Sequence, residues 1–78
     1  MWLTTDHPQS SYGIPVFVDG AGQVLDYADG FRKLRRLWDW NTARLAEELG
    51  VSRRTVEGWE QGRMPSKTAL LLLQKILP

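Results

Sequence analysis

Apolar positions along the chain change period near residue 29. Ahead of it, Ile14–Val18 and Gln23–Tyr27 are rich in β-branched and aromatic side chains. They flank Asp-Gly-Ala-Gly, whose glycines can take the positive φ of a hairpin turn. The pattern predicts a β-hairpin over 14–28. Two strands alone are marginal in water, so this hairpin must lie on helices or extend its sheet with a second copy. Residues 1–13 show no period and contain Pro8, two serines and Gly13, as expected of a flexible or loosely docked arm. Trp2 in that arm is expected to pack on the chain's own core, with a partner subunit as the alternative.

From Asp29 onward the period is helical. Asp29 is expected to cap a helix in which Phe31, Leu34, Leu37 and Trp38 turn inward and which ends near Asp39. Asn41 caps a short helix, TARLAEEL, with Leu45, Ala46 and Leu49 inward and Gly50 as its left-handed last residue. Ser52 caps a third, RRTVEGWEQ, which Gly62 stops. Ser66 caps a fourth from Lys67 to about Leu77. Leu70, Leu73 and Leu77 form one stripe of that helix and Ala69, Leu72 and Ile76 the next. Leu71 widens the apolar face beyond what a four-helix core needs, and in so small a domain this favours contact with another subunit.

Composition narrows the function classes. A chain of 78 residues has room for one small core and none for a large enzyme scaffold. It has no cysteine, which removes disulfide staples and Cys-rich zinc sites, and His7 stands alone without other ligands at metal spacing. No metal or cofactor is expected. There is no signal-peptide pattern and no membrane-spanning run, so the expectation is a cytoplasmic protein. Glu47 and Glu48 are adjacent on a helix and diverge, and nothing assembles a nucleophile, base and orienter, so catalysis is not expected. The net charge of +1 is unevenly spread: residues 1–28 carry −3 and residues 29–78 carry +4. The basic half is the half expected to meet an anion.

Two short helices joined through Gly50-Val51-Ser52 make a helix-turn-helix. Gly50 reverses the chain, Val51 and Val56 fill the angle, and Ala46 lets the second helix approach. The stretch LAEELGVSRRTVEGWEQG, followed by Arg, Pro and a Leu-rich helix, resembles the lambda-repressor and Cro-like family of bacterial and phage regulators. The likeness spans roughly Phe31 to Leu77. It implies a mainly α fold, a bundle of about four helices over 29–78, with the hairpin and arm as additions ahead of it.

The resemblance further implies that helix 53–61 lies in the major groove of double-stranded DNA with its first residues at base edges. Arg53 and Arg54 are then the leading readers, since a guanidinium bonds bidentately to guanine O6 and N7. Glu57 would accept from cytosine N4 or orient Arg53. Gly58 stands where relatives often place a contacting side chain, and a bare glycine permits close approach to a base or a thymine methyl. Phosphates are expected to meet Asn41, Thr42, Thr55, Arg63 and Lys67, although Thr42 replaces the family's usual Gln and reaches less far. Trp59 would lie beneath the recognition helix, and Glu60 would pair with Arg35. Arg32, Lys33 and Arg36 read as a solvated face, and Trp38 and Trp40 as packing.

The reading is a sequence-specific DNA-binding transcriptional regulator, a homodimer on an inverted repeat that represses by occlusion. Its alternatives are an antitoxin or phage-type autoregulator that also holds a partner protein, and a helix-turn-helix used only between proteins. The Arg53–Arg54 pair favours DNA over the last of these.

Overall fold

The computed structural model describes residues 2–76, apart from the side chain of Trp2, and Leu77 and Pro78 lie outside the described residues. Three strands precede four helices: β1 (Trp2–Thr4), β2 (Val16–Val18), β3 (Val24–Leu25), α1 (Tyr27–Trp38), α2 (Thr42–Leu49), α3 (Arg53–Glu60) and α4 (Lys67–Ile76). The hairpin is β2 and β3, antiparallel, with Phe17 opposite Leu25 and Val18 opposite Val24. Asp19 organises its turn: the carboxylate accepts from the N–H groups of Ala21 and Gln23, each at 2.9 Å. The Gln23 bond is the main reason its carboxyl lies below the usual carboxylate range.

The first residues do more than the expected arm. Trp2–Thr4 pair antiparallel with the other edge of β2, Leu3 opposite Phe17, which makes a three-stranded sheet in the order β1-β2-β3. The unpaired N–H and C=O groups on that edge of β2 are satisfied by β1 within the same chain. Leu3 is buried in the common core as a result. The side chain of Trp2, expected to pack on the core or a partner, falls outside the described residues.

Phe17 points from the central strand onto α1, and the contact depends on Gly30. A Cβ at Gly30 would overlap the ring of Phe17. Glycine in a helix interior costs about 1 kcal/mol relative to alanine, and here it lets strand and helix close together. The same contact shifts the start of α1. The N-cap is Asp26, whose carboxylate accepts from the N–H of Asp29 at 2.8 Å, and not Asp29 itself. Tyr27, expected as the end of a strand, becomes the first helical residue because its ring lies edge-on to Phe17 at 6.2 Å and its hydroxyl donates to the carbonyl of Pro15 at 2.7 Å. Asp29 then sits in the first turn, where the helix dipole favours a negative charge.

Asn41, Ser52 and Ser66 cap α2, α3 and α4 by accepting from the N–H groups of Arg44, Thr55 and Ala69 at 2.8, 3.2 and 3.1 Å. Gly50, at φ +67°, ends α2 and lets the N–H of Val51 reach the carbonyl of Ala46 at 3.0 Å. Leu45, Ala46, Leu49, Val56, Trp59, Leu70 and Leu73 complete the core with Phe17, Phe31 and Leu34. One leucine expected inside is outside, and a leucine of the second apolar stripe of α4 is exposed as well. Leu37 is 68% exposed, because the buried stripe of α1 runs through Phe31, Leu34 and Trp38 and a residue six places from Phe31 falls off it. Leu72 is exposed on α4, where Ala69, Leu70 and Leu73 are buried and Ile76 is partly so.

The seam between α1 and α3 is the most specific contact of the fold. Phe31 packs edge-on to Phe17 at 5.2 Å and stacks on Trp59 at 5.0 Å. One turn along α1, Arg35 donates from Nε and Nη2 to the two carboxylate oxygens of Glu60 at 2.8 and 2.6 Å. Arg32 donates to the backbone carbonyl of Glu60, so this arginine, read as merely solvated, holds the end of α3. Glu60 is buried, and both its carboxylate oxygens are satisfied by the fork.

Two outcomes are expected from this packing. Gly30→Ala should lower the melting temperature, since forcing a methyl group into the buried ring of Phe17 costs about 1–3 kcal/mol and outweighs the gain in helix propensity; a rise on thermal denaturation would show that Phe17 yields. Arg35→Met keeps the aliphatic stem but strands the Glu60 carboxylate, which should cost about 3–5 kcal/mol. An unchanged unfolding midpoint in urea would contradict the role given to the fork.

Candidate nucleic-acid interface

α3 buries Val56, Trp59 and Glu60 and turns a polar face outward. Along that face lie Arg53, Arg54, Glu57, Gly58 and Gln61, at the spacing expected of one side of a helix. Arg53 and Glu57 form an i,i+4 ion pair, Nε to Oε1 at 3.2 Å, with both side chains well exposed. Such a pair contributes a few tenths of a kcal/mol. Its effect is directional, because it holds the Arg53 guanidinium along the helix. Arg54 has no carboxylate within ion-pair distance among the described residues.

Arg54, Glu57, Gly58, Gln61 and Arg63 line a shallow concavity of about 220 Å³. Two of these were not expected on this face. Gln61 was not singled out in the sequence, although it stands four residues beyond Glu57 and seven beyond Arg54; its amide can bond adenine N6 and N7. Arg63 was expected at a flanking phosphate. Instead its side chain folds back onto α3, with Cδ at 3.6 Å and Nε and Nη1 at 3.8 Å from where a Cβ on Gly58 would be. The space left by Gly58 is therefore occupied by the stem of Arg63 and is not bare.

The other residues expected at phosphates stand apart from this concavity. Asn41 and Thr42 open α2, and the Asn41 side-chain oxygen is committed to the N–H of Arg44. The remaining N–H groups of the first turn point out of the helix end, the arrangement that suits an anion. The hydroxyl of Thr55 is engaged with that of Ser52 at 2.8 Å, which tightens the start of α3. Lys67 reaches back from α4 to donate to the carbonyl of Tyr12 at 2.8 Å. A carbonyl does not neutralise the ammonium, and two donors stay free of that bond.

Arg44 lies over the ring of Trp40 at 5.0 Å and pairs with Glu48 at 3.0 Å, while Trp40 packs edge-on to Trp38 at 4.8 Å. These two tryptophans tie the end of α1 to the start of α2. Among the described residues no helix is long and apolar enough to cross a membrane.

A family model described as helix-turn-helix matches residues 31–78, well over half of the chain. Neither a curated protein nor a solved structure matches the chain significantly. The matched family is one of regulatory DNA-binding domains and not of enzymes. Its span begins at Phe31, so the strands and the first turn of α1 lie ahead of the matched residues. With the capped pair α2 and α3, the turn at Gly50, the fork from Arg35 to Glu60 and the polar face of α3 in place, the chain belongs to the lambda-repressor-like helix-turn-helix family of DNA-binding regulators.

Proposed function

We propose that the protein is a sequence-specific transcriptional repressor that binds an inverted-repeat operator as a homodimer, with α3 of each copy in the major groove. The observation that carries this reading is the exposed face of α3: its guanidinium groups, one carboxylate and one amide are the donor and acceptor types that distinguish base pairs in that groove. Arg53 and Arg54 read guanine. Glu57 sets the direction of Arg53 through the 3.2 Å ion pair or accepts from cytosine N4. Asn41, Thr42, Thr55 and Lys67 meet phosphates on either side and fix register.

One eight-residue helix offers too few base contacts for high specificity, which favours two copies with half-sites about 34 Å apart. The exposed Leu71 and Leu72 of α4 support the two-fold contact there. The same leucines, together with exposed Leu37 and Met64, support a second reading in which the regulator also holds a partner protein, as an antitoxin does.

A gel shift on the DNA upstream of the protein's own coding sequence checks the first reading. Arg53→Ala and Arg54→Ala should each cost about 1–3 kcal/mol of specific affinity with unchanged circular dichroism. The binding constant should fall steeply with salt, with a slope near −0.9 for each phosphate neutralised. Retention that ignores both arginines and salt would favour the protein partner. Sedimentation of the free protein and of its operator complex should give a dimer, and Leu71→Glu with Leu72→Glu should shift it to monomer; a monomer on DNA would exclude the two-fold arrangement.

A further inference from the structure

The structure assigns Arg63 a base-reading role, although it lies beyond the end of α3. This assignment rests on the DNA reading above and extends the reading surface by one residue from outside the recognition helix. The backbone turns back after α3: Gly62 is at φ +107°, its N–H donates to the carbonyl of Trp59 at 3.2 Å, and the N–H of Arg63 donates to the carbonyl of Gly58 at 2.9 Å. That closure brings the Arg63 side chain over the exposed side of α3 and not away from it.

Gly58 makes the position available. The Arg63 stem rests at van der Waals distance from the glycine, in space that a long side chain at 58 would fill. The guanidinium then stands in the row between Arg54, one turn earlier, and Gln61, and lines the same concavity as both. A residue serving only as a phosphate clamp has no need to lie along the row that meets base edges.

Charge supports the assignment. Arg53 is engaged by Glu57, whereas among the described residues neither Arg54 nor Arg63 has a carboxylate within ion-pair distance. Both are guanidinium groups held on the helix surface with their donors available, and guanine O6 and N7 match that fork. Arg54 and Gly58 are four residues apart, about 6 Å along the axis. At roughly 3.4 Å per base step, the bases read by Arg54 and Arg63 are one or two steps apart in the half-site.

The test is selection of binding sites from a randomised duplex library by the full chain and by Arg54→Ala, Arg63→Ala and Arg63→Lys, with thermal melts to confirm folding. Arg63→Ala should relax one G·C preference, by about 5- to 150-fold against the other pairs, at a position one or two steps from the one that Arg54→Ala relaxes. Arg63→Lys should keep only part of that preference, because a lysine ammonium can still donate to guanine O6 or N7 but lacks the planar fork. Uniform weakening on all sequences by Arg63→Ala, with near-wild-type selection by Arg63→Lys, would make Arg63 a phosphate clamp and overturn the assignment while leaving the DNA reading intact. No effect of either variant would overturn it equally. Failure of the unaltered chain to select any sequence would remove the DNA reading itself, and this assignment with it.

Discussion

The structure depends on the seam between α1 and α3. An eight-residue helix is too short to hold its own shape in water, and α3 is made worse by an interior glycine. What keeps it helical and aimed is the contact of Trp59 with Phe31 and the fork of Arg35 on Glu60, one turn apart along α1. Both charges leave much of their water to meet, so the net stability of the pair is smaller than its short distances imply. The planar fork contributes direction: it fits a carboxylate in one orientation, and that orientation sets the rotation of α3 about its own axis. The seam thereby fixes which side of α3 faces outward.

The sheet acts on the seam from behind. Phe31 stands between Phe17 on one side and Trp59 on the other, so the strands press on α1 and α1 presses on α3. A chain of this size without disulfides needs that extra apolar area, and Leu3 and Phe17 supply it. The arrangement also separates charge. Residues 1–28, with a net −3, fold largely against α1 and α4, while the basic residues of α3 face away from its contacts with α1 and α2. On that outward face Glu57 is, among the described residues, the one carboxylate lining the concavity, and it is paired with Arg53.

On that surface the cationic groups are not equivalent. Arg53 is engaged by a carboxylate on its own helix, Lys67 by a carbonyl of the loop before β2, and Arg32 and Arg35 by the end of α3. A count of basic residues would treat all of them as available. The geometry assigns several to holding the fold and leaves Arg54 and Arg63 facing a shallow polar concavity.

Local chemistry was legible in the chain. The caps at Asn41, Ser52 and Ser66 and the left-handed Gly50 each depend on residues within four places of one another, so a sequence determines them before any tertiary contact forms. The features that tertiary structure decided involve partners far apart in the chain. A three-residue strand such as β1 has too little pattern to announce itself and exists because the free edge of β2 accepts it. Asp26 caps α1 in place of Asp29 because Phe17 and the carbonyl of Pro15 draw Tyr27 into the helix. Leu37 and Leu72 look like core residues by hydropathy, but which face of a helix is buried is decided by what packs against it. Arg63 reads as a flanking cation until the chain turns at Gly62 and its stem finds the gap at Gly58. Periodicity and capping act over a single helical turn, and for that reason they specify the elements of this protein. The direction in which a side chain finally points depends on the surface opposite it, and that surface exists only once the chain has folded.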